Sequence, residues 1–137
     1  MQIEIQITTL PVPAPLPPPP LTGAGAWVEF RGIVRGEENG QPIAALEYEA
    51  YLPMAEREMR CILEELAAQR PCLFAKVLHR VGVIPAGETA IYAGVAGRHR
   101  AEAFALLTAF MDRLKRDVPI WKCRALTADN LAKLQAS

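Results

Sequence analysis

Apolar and polar positions alternate from Gln2 to Thr9, with Ile3, Ile5 and Ile7 on one side, and this predicts a half-buried strand. A second alternation, inside Gly23 to Arg35, sets Ala26, Val28 and Phe30 against Trp27, Glu29 and Arg31. Gly32 within it marks a bulge or a close backbone approach. Glu38-Asn39-Gly40-Gln41 reads as a tight turn, because Asn-Gly supplies left-handed backbone. Ile43 to Tyr51 is then the return strand, with Leu46 and Tyr48 on one face and Glu47 and Glu49 on the other. After Pro53 the period changes to that of a helix, with Ala55, Met59, Ile62, Leu63 and Leu66 as its apolar face down to about Gln69. Leu73 to Val81 reads as a strand closed by Gly82, and Ile84 to Glu88 as a turn-bearing connection. Glu88 to Ala96 is almost free of charge and predicts a central strand, broken by Gly97. Phe104, Leu107, Met111, Leu114 and Val118 then form the stripe of a long helix, which Pro119 ends near Asp117. An extended PIWK segment follows, and Ala125 to Ser137 is weakly helical, with Leu126, Leu131 and Leu134 as anchors.

The order strand, strand, strand, helix, strand, strand, helix predicts an α+β fold, a mainly antiparallel sheet with helices packed against it. At 137 residues the chain fits a single domain spanning 1–137. Seven prolines between Pro11 and Pro20 exclude a helix interior or a central strand and form a stiff, proline-rich connection at 11–20. Residues 125–137 form a tail expected to dock on the domain or on a partner, or to fray.

Charge changes this picture only locally. Fifteen basic and fifteen acidic residues balance, which excludes a protein devoted to holding nucleic-acid backbone. The stretch 98–124 nevertheless carries seven Arg or Lys against three acids, and 37–65 carries eight acids against two arginines. A locally basic pocket in a neutral protein suits a small anionic ligand or a partner's acidic tail. No apolar run is long enough to span a membrane, and no signal peptide is visible, so the expected location is cytoplasmic. Cys61, Cys72 and Cys123 have no metal-site spacing and read as free thiols; no metal or cofactor is expected.

Chemistry concentrates at the two ends of the long helix. His99 and Arg100 stand where a strand meets the helix, and the first backbone N–H groups point to the same place, an arrangement suited to an anion. Arg35 closes a strand before a glycine-containing loop. Lys115 and Lys122 flank the helix end and Pro119; such lysines hold an anion or act as nucleophile or acid. Arg98, Arg100 and Arg113 are candidate cations for tuning them, and Trp121 is placed to screen Lys122 from water. His79 lies in an alternating strand and reads as structural.

Taken together, FRGIVR (30–35), LEYEAYLPMAEREM (46–59), VLHRVGVIPAGE (77–88), GRHRAEAF (97–104) and DRLKRDVPIWK (112–122) closely resemble the large, catalytic subunit of molybdopterin synthase. The resemblance implies an α/β hammerhead-type fold, a central homodimer, and one small ubiquitin-like sulfur-carrier subunit bound to each protomer in a heterotetramer. It implies an enzyme, a sulfurtransferase of molybdenum cofactor biosynthesis. Sulfur passes from the carrier's C-terminal thiocarboxylate to cyclic pyranopterin monophosphate, forming the dithiolene of molybdopterin, with no bound cofactor. It carries the catalytic roles onto Lys115 and Lys122, and the substrate-binding roles onto Arg35, His99 and Arg100. The chain departs from the family at Gly36, Glu37 and Glu38, at Cys123 and Arg124, and in its proline track. A reading of a different class is a non-catalytic docking module for a ubiquitin-like carrier.

Overall fold

The computed structural model describes residues 1–136. Nine strands and three helices follow in the order β1 (Gln2–Thr8), β2 (Ala26–Ile33), β3 (Glu37–Glu38), β4 (Gln41–Pro42), β5 (Ala45–Ala50), α1 (Met54–Gln69), β6 (Phe74–Arg80), β7 (Gly82–Pro85), β8 (Thr89–Gly97), α2 (Arg100–Asp117), β9 (Ile120–Leu126) and α3 (Ala128–Ala136). A four-stranded sheet runs β1-β6-β8-β2, a three-stranded sheet runs β7-β5-β9, and β3 and β4 form a hairpin of their own. Only β1 and β6 pair in parallel; the other pairings are antiparallel. The expected α+β class holds, and the uncharged strand is central, with β8 lying between β6 and β2.

One face of the large sheet carries both long helices. Ala55, Met59, Ile62, Leu63 and Leu66 of α1 share one core with Val77 of β6 and Ala93 and Val95 of β8, and Ile3, Ile5 and Ile7 of β1 pack against it. The predicted face of α1 is therefore the buried one. For α2 the expected Leu107, Leu114 and Val118 are buried, but the stripe is rotated to include Ala103, Leu106 and Phe110. Phe104 is 56% exposed and Met111 only partly covered. Both stripes have helical spacing, and Phe110 is the phenylalanine that joins the core shared with Ala75 and Ala93 of the sheet.

On the opposite face, Trp27 packs across Gly94, where a Cβ would lie 2.5 Å from the indole ring, and contacts Phe74 at 6.1 Å between ring centroids. Arg31 sits over the Tyr92 ring at 4.9 Å and donates to the Pro13 carbonyl at 2.7 Å, fixing the segment between β1 and β2 to this sheet. Residues 9–25 contain no helix or strand.

Two details of the expected elements change. Gly82–Pro85, expected to lead into a turn, is a strand paired with β5; Pro85 is tolerated because β7 is an edge. Gly87, at φ 89°, makes the turn that follows. Ala125 and Leu126, assigned to a helical tail, extend β9; Leu126 is buried, Leu131 is partly buried and Leu134 is exposed. Ser137 lies outside the described residues. The Gly32 bulge and the Asn39–Gly40 turn appear as expected, the former as a register shift between Gly32 and Ile33, the latter with φ of 52° and 77°.

Candidate active site

The C-terminal end of α2 is built to return the chain on itself. Lys115 and Arg116 occupy the last turn, and the Val118 N–H closes it on the Leu114 carbonyl at 3.2 Å. Val118 is extended, as its place before Pro119 requires, and the Pro119 carbonyl accepts from the Tyr51 N–H at 3.0 Å. That bond starts β9 antiparallel to β5, putting Ile120 opposite Ala50, Trp121 opposite Glu49 and Lys122 opposite Tyr48. Lys115 and Lys122, separated in sequence by a helix end and a proline, thus line one cleft of about 430 Å³. Its floor is apolar, from Phe30 and Ile33 of β2, Ile91 of β8 and Leu114 of α2; Trp121 stands at its side.

The two lysines are held differently. Lys122 Nζ donates to Glu38 Oε1 at 3.3 Å, reaching the β3–β4 hairpin. Lys115 has no hydrogen-bond or ion-pair partner among the described residues. The same cleft is lined by two polar rings: Tyr48, whose hydroxyl is pushed up by burial against a partial offset from Lys122, and His79, whose imidazole is pushed below its ordinary value by burial. Tyr48 therefore stays a phenol and His79 a neutral ring at neutral pH. Sequence reasoning assigned His79 a structural role from periodicity alone; the cleft it faces was not visible in one strand's pattern.

The remaining predicted residues lie elsewhere. His99 is the N-cap of α2, its N–H donating to Glu102 Oε2 at 3.1 Å, and Arg100 is the first helical residue; both are exposed. From Arg100 to Lys115 the helix rises about 22 Å at 1.5 Å per residue, so one chain does not bring these groups to the lysines. Arg35 is exposed two residues beyond the lining residue Ile33. The cations expected to tune the lysines are also displaced: Arg98 and Arg100 sit at the far end, and Arg113 is bound to Glu65 at 2.6 Å.

Part of the charge asymmetry of the sequence is an internal pairing. Glu65 meets Arg113, Glu47 meets Arg124 at 2.6 Å and Glu38 meets Lys122, each joining the acidic stretch to the basic one. Cys123 follows Lys122 on β9, but its thiol is pushed up by desolvation and by Glu49 and Glu47, the opposite of an activated thiolate. Among the described residues no cluster of His, Cys, Asp or Glu could hold a metal, and no helix is long and apolar enough to cross a membrane.

Fold and site define an α+β protein whose apolar cleft presents two lysines from a helix end and the strand after it. The MoaE protein family profile matches residues 19–117. The chain is 41% identical over 98 residues to the human molybdopterin synthase catalytic subunit, covering 72% of this chain and 52% of that protein. It thus spans about half the length of the curated relatives it matches first. Molybdopterin synthase from Staphylococcus aureus superposes with a TM-score of 0.80 at 30% identity, over 90% of each chain. A solved complex of subunits 1 and 2 of molybdopterin-converting factor from Helicobacter pylori shares the fold, with a TM-score of 0.65 at 20% identity over 92% of this chain and 89% of that one. The chain belongs to the MoaE protein family, the family of molybdopterin synthase catalytic subunits.

Proposed function

We propose that this protein is the catalytic subunit of a molybdopterin synthase. It takes sulfur from the C-terminal thiocarboxylate of a small ubiquitin-like carrier and transfers it to cyclic pyranopterin monophosphate, building the dithiolene of molybdopterin. The observation that carries the reading is the meeting of Lys115 and Lys122 in one cleft of the family fold. An extended glycine-rich tail fits between the apolar floor and the two ammonium groups, which stabilise negative charge on sulfur and on the acyl oxygen as bonds change. Lys115, free of any protein partner among the described residues, is the group available to donate a proton when the cyclic phosphate opens.

Arg35, His99 and Arg100 hold the phosphate and pterin of the substrate. Because His99 and Arg100 lie about 22 Å from Lys115 along α2, they reach a lysine cleft from a second copy of the chain. The working unit is accordingly a homodimer with one carrier per protomer, a heterotetramer acting in the cytoplasm on a soluble substrate. The test is mass spectrometric: purified protein, thiocarboxylated carrier and cyclic pyranopterin monophosphate are mixed, and carrier desulfuration and dithiolene product are followed. Product formation is the expected result. Tight carrier binding with no sulfur transferred would replace the reading with a docking module.

A further inference from the structure

On the helix-covered face of β6, the buried row Ala75, Val77 continues not with another aliphatic residue but with His79, 6% exposed, where α2 ends. Its Nδ1 lies 2.8 Å from the Arg80 carbonyl, which can only accept, so Nδ1 carries the ring's proton and Nε2 holds a lone pair. The Tyr48 ring packs edge-on at 5.8 Å between centroids and fixes the imidazole plane. Nε2 has no hydrogen-bond partner among the described residues, and it is not one of the sealed unpaired atoms, which are Trp27 Nε1 and Arg80 Nε. It is therefore open to the cleft that the ring lines, the same cleft that holds Lys115 and Lys122. A basic nitrogen, held in one tautomer and aimed into a reaction cleft, has the build of a general base rather than of core filling.

We propose that His79 is a catalytic base of this site and that its Nε2 takes the proton from the water that detaches the sulfur carrier. The inference rests on the proposed sulfur transfer. When the thiocarboxylate sulfur bonds to a substrate carbon, the carrier stays attached through a thioester. Release requires a water oxygen to bond to the acyl carbon while one of its protons passes to Nε2. The carbon–sulfur bond to the carrier then breaks, its electron pair leaving on the substrate sulfur, and the second water proton is lost as the carboxylate forms. The products are the carrier carboxylate and a substrate thiolate; no oxidant or reductant is consumed. Lys115 and Lys122 face the tetrahedral oxyanion, and Tyr48 can donate to it.

The charged and titratable groups around the ring are Tyr48 from β5, Lys115 from α2 and Lys122 from β9 with its partner Glu38 from β3; β2 and β8 add only apolar side chains. Burial favours the neutral ring, so the basic form is present at neutral pH and is lost only as pH falls below the ordinary histidine value.

The experiment is a single turnover with thiocarboxylated carrier and cyclic pyranopterin monophosphate, quenched and read by intact mass, on wild type, His79→Asn and His79→Gln. His79→Asn keeps a donor near the Arg80 carbonyl and lacks Nε2; His79→Gln reaches the Nε2 position without a base. Expected is carbon–sulfur bond formation at the wild-type rate, accumulation of the carrier–substrate adduct, and hydrolysis slowed by about 100-fold or more. The wild-type hydrolysis step should weaken as pH falls below about 6.5, and in both variants that limb should vanish. Hydrolysis at the wild-type rate in either folded variant overturns the assignment, as does an equal loss in both steps. Should neither variant fold, a wild-type hydrolysis step without an acidic limb overturns it. A wild-type chain that leaves carrier and substrate unchanged removes the functional reading itself; an active wild type with active variants removes only the role of His79.

Discussion

The two ends of α2 carry similar basic residues in opposite settings. At the C-terminal end, β9 folds back along β5, and Lys115 and Lys122 are set against an apolar floor beside two polar rings. At the N-terminal end, Arg98, His99 and Arg100 stand exposed on the surface. The first setting is a cleft formed within one chain and only partly enclosed: both lysines are exposed, but they lie beside apolar side chains that exclude water from one side. The second is an open surface, where an arginine fork binds anions weakly and is screened by salt. The contrast teaches that the surroundings of a cationic residue, more than its type, decide what chemistry it can do: the lysines have a cleft around them in one chain, and Arg98, His99 and Arg100 do not.

The largest expected effect comes from removing the unpartnered lysine of the enclosed end. Lys115→Ala should lower single-turnover sulfur transfer by about 100-fold or more, the scale of a lost general acid or oxyanion partner. Carrier affinity, read by titration, should change far less. A variant that turns over at the wild-type rate would strip the enclosed end of its special status. Next comes the open end. Arg100→Ala should impair transfer strongly if a second copy supplies this residue, and mixing it with Lys115→Ala should restore about a quarter of wild-type activity, since random pairing makes half the dimers mixed, each with one intact site of two. No restoration on mixing would mean that Arg100 does not act across the dimer.

How much of this was legible in the sequence follows the same division. The apolar face of α1 could be read residue by residue, because a helix on a sheet obeys its own period. For α2 two overlapping stripes exist, and the choice between Phe104 and Phe110 is made by sheet residues far away in sequence. Lys115 and Lys122 were visible as an odd arrangement, but their meeting depends on the pairing of β9 with β5, which no local pattern encodes. His79 alternates like a core residue; that its free nitrogen faces a cleft is decided by six elements at once. His99 and Arg100 were legible as a helix start, and their distance from the lysines is simple helix arithmetic once the boundaries are known.

A comparison of the two phenylalanines keeps stability apart from chemistry. Phe110→Ala removes a fully buried ring facing both helix and sheet and should cost about 3–5 kcal/mol in denaturant unfolding. Phe104→Ala, one exposed position near the open end, should stay within about 0.5 kcal/mol. A large loss at Phe104 in dilute protein would indicate that this side chain is covered in solution, which would place an interface at the open end of the helix.

The smallest expected effect concerns the one restraint on the enclosed end. Lys122 is tied to Glu38 at 3.3 Å, with 47% and 27% of the two side chains exposed, so the pair is a surface ion pair worth about 0–1 kcal/mol. On the proposed function, an anionic carrier tail entering the cleft would compete with Glu38 for the same ammonium. Glu38→Gln removes the competing charge and keeps the shape of the hairpin, so the tail should bind more tightly, by about five-fold or less. Since the competition is electrostatic and solvent-exposed, the gain should shrink at high salt, where the Debye length falls to about 3 Å. A loss of affinity on the same substitution would reverse the reading: Glu38 would then be holding Lys122 in place for the tail, and the enclosed end of α2 would depend on the β3–β4 hairpin as much as on β9.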